Sequence, residues 1–135
     1  MTVVDASVIV TAFARGGHAD WAAAQLENAR ARGSLWAPHL IDAEVGHSLR
    51  RRVAARKLAD DLATAALHDL ANMPLRRIVH AGLLGRAWQM RHNLSFYDGL
   101  YVALAEQLRV PLVTLDVRLA KAAAKATKID VLRPS

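Results

Sequence analysis

Four carboxylates in this sequence stand where an apolar run ends or beside an apolar helical stripe. Asp5 lies inside VVDASVIV, residues 3–10, where an ionised carboxylate without a partner is strongly unfavourable. VTLD, residues 113–116, repeats the pattern of an apolar run followed by an acid at Asp116. Asp98 shares helical spacing with Tyr101, Val102 and Ala105, while Glu44 lies beside the stripe Ile41, Val45 and Leu49, flanked by Leu40 and Ser48. Brought together, such acids repel and their pKa values rise unless something cationic sits among them. A hard dication meets that need: Mg²⁺ takes oxygen ligands at about 2.0–2.1 Å and prefers a few carboxylates plus water to a closed protein cage. Mn²⁺ fits similarly. Zinc suits the chain less, because it has no cysteine and none of its six histidines forms an i, i+4 pair with another. His18, His39, His47, His68, His80 and His92 are therefore expected at the surface or as satisfied, partly buried residues.

Each acid also has a plainer reading. Asp5 and Asp116 can cap the helices that follow them, Ser95 and Asp98 match a capping box, and Glu44 can be a surface glutamate. Tertiary structure decides between caps and a shared site.

The elements that must position these residues follow from the pattern of the chain. Short β-branched or apolar runs alternate with longer Ala/Leu-rich helical stretches, the signature of a parallel α/β sheet. Strands are predicted at about 2–5, 34–37, 76–80, 111–115 and 128–132, and helices at about 6–14, 18–32, 39–57, 59–72, 81–92, 95–109 and 117–126. Gly33 is expected to close the second helix and Pro74 to stop the fourth. The helices over 39–57 and 59–72 follow one another without a strand and predict a helical hairpin. In a parallel sheet, Asp5 and Asp116 both lie on the carboxyl edge, where open α/β folds place their ligand sites.

The segments VVDASV, HLIDAEVGHSLRR and LSFYDGLYVALAEQLRVPLVTLD resemble the PIN-domain nucleases, and at this size the VapC-type toxins of bacterial toxin–antitoxin pairs. The resemblance covers almost the whole chain and implies one domain over 1–135. It also implies a three-layer α/β/α sandwich around a parallel sheet of four to five strands. In that family the acids matching Asp5, Glu44, Asp98 and Asp116 surround one or two Mg²⁺ or Mn²⁺ ions and cleave RNA. Asp5 and Asp98 are then the principal ligands of the first metal, Asp116 completes that site or a second one, and Glu44 binds a metal water or orients the attacking water. Ser7 and Thr114 match the small polar residues that hold these carboxylates in place. The resemblance further implies a homodimer, a cognate antitoxin that silences the toxin, and products with 5′-phosphate and 3′-hydroxyl ends.

The remaining sequence signals are broader. A formal net charge of +6, from 18 Lys and Arg against 12 Asp and Glu, favours a polyanionic partner such as nucleic acid. Arg50, Arg51, Arg52 and Arg56 cluster just beyond Glu44 and are the expected RNA contacts, with a solvated face or a partner surface as the alternative. Trp21, Trp36 and Trp88 have apolar neighbours and are expected in the core. The absence of cysteine suits a reducing cytoplasm, no basic segment precedes the first apolar run, and no uncharged apolar stretch reaches the roughly 18 residues of a membrane span. Two other functions compete. A haloacid-dehalogenase-like phosphatase also begins with an apolar strand and an Asp, but it needs a second Asp two positions on, where this chain has Ser7. A PIN-like module that binds RNA or a partner without cutting would not need all four acids.

Overall fold

The computed structural model describes residues 1–135. Its strands are β1 (Thr2–Val4), β2 (Leu35–Pro38), β3 (Leu75–Ile78), β4 (Leu112–Val113) and β5 (Val131–Leu132). They form one sheet in the order β3-β2-β1-β4-β5, and every neighbouring pair is parallel. The helices α1 (Ala6–Ala14), α2 (Ala19–Ala31), α3 (Leu40–Ala54), α4 (Asp60–Asn72), α5 (Leu84–Gln89), α6 (Phe96–Leu108) and α7 (Val117–Ala126) flank it. This is the parallel α/β sheet expected from the alternating pattern, in the α/β architecture that the resemblance implies.

Burial explains why the centre of the sheet is so apolar. Val3, Val4, Leu112 and Val113 are each at most 3 % exposed, as strands covered on both faces must be. Against them lies α6, in which every residue from Gly99 to Ala105 is buried. A helix apolar all round is a core helix, and this one carries Asp98 to the edge of the core at its first turn. Strand order steps outward from β1 to β3 and then returns across β1 to β4. The crevice between β1 and β4 is thus a topological switch point, the place where open α/β sheets bind ligands.

Several boundaries differ from expectation, each for a local reason. The predicted helix over 81–92 is a single 3₁₀ turn, Ala81–Leu83, followed by the short α5; Gly82 and Gly85 lower its helical propensity. The predicted helix over 39–57 ends at Ala54, because Arg56 adopts a left-handed conformation (φ 58°) and closes a Schellman motif. In it, Lys57 N–H donates to Arg52 O at 2.9 Å and Arg56 N–H to Val53 O at 3.0 Å. Gly33 closes α2 in the same way at φ 89°, as its type predicted. The helices α3 and α4 do follow one another and pack together as a hairpin. Outside the site, Arg77 ties β3 to α3 through both oxygens of Asp42 (2.7 and 2.9 Å). No helix is long and apolar enough to cross a membrane.

Candidate active site

Asp5 follows β1 and caps α1, its Oδ1 accepting from the Ser7 N–H at 3.1 Å. The cap reading is correct but incomplete. Ser7 Oγ donates to the same oxygen at 2.5 Å, and Thr114 Oγ, at the end of β4, donates to Oδ2 at 2.6 Å. Both hydroxyls are themselves oriented, since Leu115 N–H donates to Ser7 Oγ at 3.0 Å and Asp116 N–H to Thr114 Oγ at 2.9 Å. Thus one hydroxyl from the start of α1 and one from the end of β4 together hold the carboxylate that follows β1. Asp5 is only 6 % exposed, and this burial pushes its carboxyl up to about 6 despite the bonds that favour the ionised form; nearby Asp116 adds to the rise.

The other acids arrive from three helices. Asp116 caps α7, accepting from Leu119 N–H at 3.1 Å. Ser95 caps α6 by accepting from Asp98 N–H at 3.1 Å, while Asp98 turns its carboxyl into the cleft instead of closing the capping box. Glu44 on α3 accepts a 2.6 Å bond from the hydroxyl of Tyr101, which is 1 % exposed. Burial raises the pKa of Glu44 and of Asp98, and each feels a second acid, Asp98 in the first case and Asp116 in the second. Asp5, Glu44, Asp98 and Asp116 line one polar cleft of about 280 Å³. All four predicted acids therefore line the same cleft.

Of the predicted arginines, Arg51 and Arg52 line this cleft and Arg50 and Arg56 do not. Helical geometry gives the reason. At about 100° per residue, Ser48, Arg51 and Arg52 fall on the Glu44 side of α3, whereas Arg50 is turned about 120° away. Arg56 leaves the helix altogether at the Schellman turn. Sequence reasoning missed Tyr101 as a site residue, although its i, i+3 spacing from Asp98 and the need of a buried phenol for a partner were visible signals. Thr11, on the α1 face of the cleft, was also missed. Among the tryptophans, Trp21 and Trp36 pack on the core, but Trp88 is 59 % exposed with the Arg91 guanidinium 4.6 Å from its ring centroid. Histidine plays no part in the cleft, and His80 is satisfied elsewhere, its Nε2 accepting from Leu40 N–H at 3.0 Å.

The donor set suits a hard dication. The acids in the cleft are all carboxylates, and on Asp5 Oδ1 accepts two bonds from Ser7, backbone and side chain, while Oδ2 accepts only the one from Thr114. Glu44 Oε2 has no protein hydrogen-bond partner. The side chains do not stand as a ready-closed cage: no group of three or more His, Cys, Asp or Glu is positioned to hold an ion by itself. Like charges without a counter-ion hold apart, and Mg²⁺ sites in any case complete their shell with water and substrate oxygens. Ser7, hydrogen-bonded to Asp5, stands where a dehalogenase-like phosphatase needs its acid, so that reading lacks its proton donor.

The parallel sheet and the acids at its switch point define an α/β domain of the PIN class. The PIN-domain model matches residues 2–125, and the chain belongs to the PIN-domain family. It is 44 % identical over 132 residues to Ribonuclease VapC1 of Mycobacterium tuberculosis, covering 97 % of each chain. Ribonuclease VapC9 of the same organism is 39 % identical over 119 residues, 88 % of each chain. Two solved structures share the fold. VapBC2 from Rickettsia felis, bound to a DNA fragment from its promoter, aligns with a TM-score of 0.70 at 14 % identity over 98 % of this chain and 97 % of that one. The M. tuberculosis toxin VapC20, which cleaves the sarcin-ricin loop, aligns at 0.66 and 20 % identity over 90 % and 95 %.

Proposed function

We propose that this chain is a VapC-type endoribonuclease, the toxin of a toxin–antitoxin pair, in which Asp5, Glu44, Asp98 and Asp116 hold Mg²⁺ or Mn²⁺. The single observation that carries the reading is the convergence of four carboxylates from separate elements in one cleft that arginines also line. Near-full-length similarity to ribonucleases of the VapC type supports the same activity. A dication bound there supplies an activated water and neutralises charge on the phosphodiester.

The chain's own residues do the rest. Ser7 and Thr114 fix the Asp5 carboxylate in one orientation. The Tyr101 hydroxyl holds one oxygen of Glu44 and leaves the other free to orient the attacking water or take its proton. Arg51 and Arg52 offer planar, multiply donating groups for the non-bridging phosphate oxygens. The partners that follow from this reading are an RNA substrate, a cognate antitoxin and a second copy of the chain.

The test incubates purified protein with structured and unstructured RNA, with Mg²⁺ or with EDTA, beside Asp98→Asn. Cleavage confined to wild type with metal is expected. Equal cutting in EDTA or by the variant would overturn the assignment.

A further inference from the structure

A second groove, of about 550 Å³, lies between the turn after α5 and the exposed face of α7. His92 and Asn93 form one wall and Arg118, Lys121 and Lys125 the other; no Asp or Glu lines it. The three cations follow at i, i+3 and i+7, which at about 100° per residue places them within roughly 60° of arc. The opposite face of α7, Leu119, Ala120 and Ala123, is buried, so the cations cannot turn inward. At about 1.5 Å per residue they span about 10 Å of helix, the length of roughly three stacked nucleotides at about 3.4 Å each.

The groove begins beside the catalytic cleft, since Val117 in its wall directly follows Asp116, which lines the cleft. Arg118, also in the groove wall, is two residues beyond Asp116, which caps α7. The cleft carries Arg51 and Arg52, contributed by α3. A strand whose scissile phosphate lies at the four acids meets cations in the cleft itself, and past Asp116 it faces a groove lined only by positive and neutral groups.

We propose that the α7 groove is a phosphate track for the RNA strand on one side of the scissile bond, with Arg118 at its cleft end and Lys121 and Lys125 further out. This rests on the nuclease reading for its direction, yet it can be tested apart from cutting. Binding of a fluorescein-labelled, single-stranded 12-nucleotide RNA is measured by anisotropy in the Asp98→Asn background, with and without Lys121→Ala and Lys125→Ala together. The double change is expected to weaken binding about tenfold and to lower the salt slope, log Kd against log salt, by about 1.4 for two lost single-strand phosphate contacts. With Asp98 restored, the loss should fall on KM rather than on kcat. Lys121→Glu with Lys125→Glu should deepen it, since both side chains are exposed. Unchanged affinity and slope would overturn the track while leaving the nuclease reading intact. Tight RNA binding that depends on both lysines, without cleavage by the wild-type protein, would retain the track and sink the nuclease. If polyglutamate of equal charge binds wild type as tightly as the RNA does, the groove takes an acidic polypeptide and the proposal fails.

Discussion

Tyr101 shows how much of a site can hang on a residue that composition alone assigns to the core. Its ring is buried with its apolar neighbours, yet its hydroxyl makes the only protein hydrogen bond to the Glu44 side chain. That bond favours the ionised carboxylate, so it works against the burial that raises the Glu44 pKa. Tyr101→Phe keeps the ring and removes the bond. Stability should fall by about 1 kcal/mol, the usual net value of a hydrogen bond, and kcat by about tenfold, as for other partners that orient a functional carboxylate. The discriminating readout is the pH–rate profile: Glu44 loses a bond to its charged form, so the acid limb should move to higher pH. A profile that falls uniformly without moving would reduce Tyr101 to packing. The four acids were legible because each carboxylate interrupts or borders an apolar pattern. Tyr101 was not, because a phenol fits that pattern and its partner is 57 residues away.

At the scale of elements, the alternation of strand and helix could be read directly, whereas endings could not. Gly33 announces the end of α2, but the same left-handed closure after α3 is made by Arg56 and after α6 by Arg109, residue types that carry no such signal. The reach of the arginine cluster was therefore overestimated. The α5–α6 contact was equally hidden, although the site depends on it. A Cβ on Gly99 would lie 3.2 Å from both Cα and Cβ of Ala87, so α5 sits against α6 more closely than a side chain there ordinarily permits. Arg86 clamps the pair from outside through Nε and Nη2 to Glu106 at 2.6 and 3.1 Å. Gly99→Ala must push the two backbones apart by a few tenths of an ångström. The expected cost is about 1–3 kcal/mol, as for other overpacked cores, read as a lower denaturant midpoint. Because Asp98 is the adjacent residue, activity measured under fully folding conditions should fall as well. An unchanged midpoint would mean that α5 yields freely.

Across the whole molecule, charge is unevenly distributed. The chain has a net charge of +6, yet the carboxyl edge of its sheet gathers acids that burial and mutual repulsion make unwilling to ionise. This arrangement couples folding stability to pH and to metal in a calculable direction. Asp5 has a pKa of about 6 in the folded protein against 3.8 as its reference value, so between those limits the folded state binds more protons than the unfolded one. Stability in chelator should therefore fall as pH rises from about 4 to about 7, by up to about 3 kcal/mol from this group. Asp5→Asn removes the share of that slope that comes from Asp5 and leaves the share from Glu44 and Asp98. A dication that binds the ionised acids reverses the penalty where it is largest: at a hundredfold excess over Kd it adds about 2.7 kcal/mol. Thermal melts of wild type should consequently show a rise in Tm with Mg²⁺ that is several degrees at pH 7.5 and small at pH 4.5, where Asp5 is protonated and binding must first expel the proton. In Asp5→Asn the rise should shrink at both pH values. A shift of equal size at both, or one that survives the substitution, would place the cation somewhere other than the switch point of the sheet.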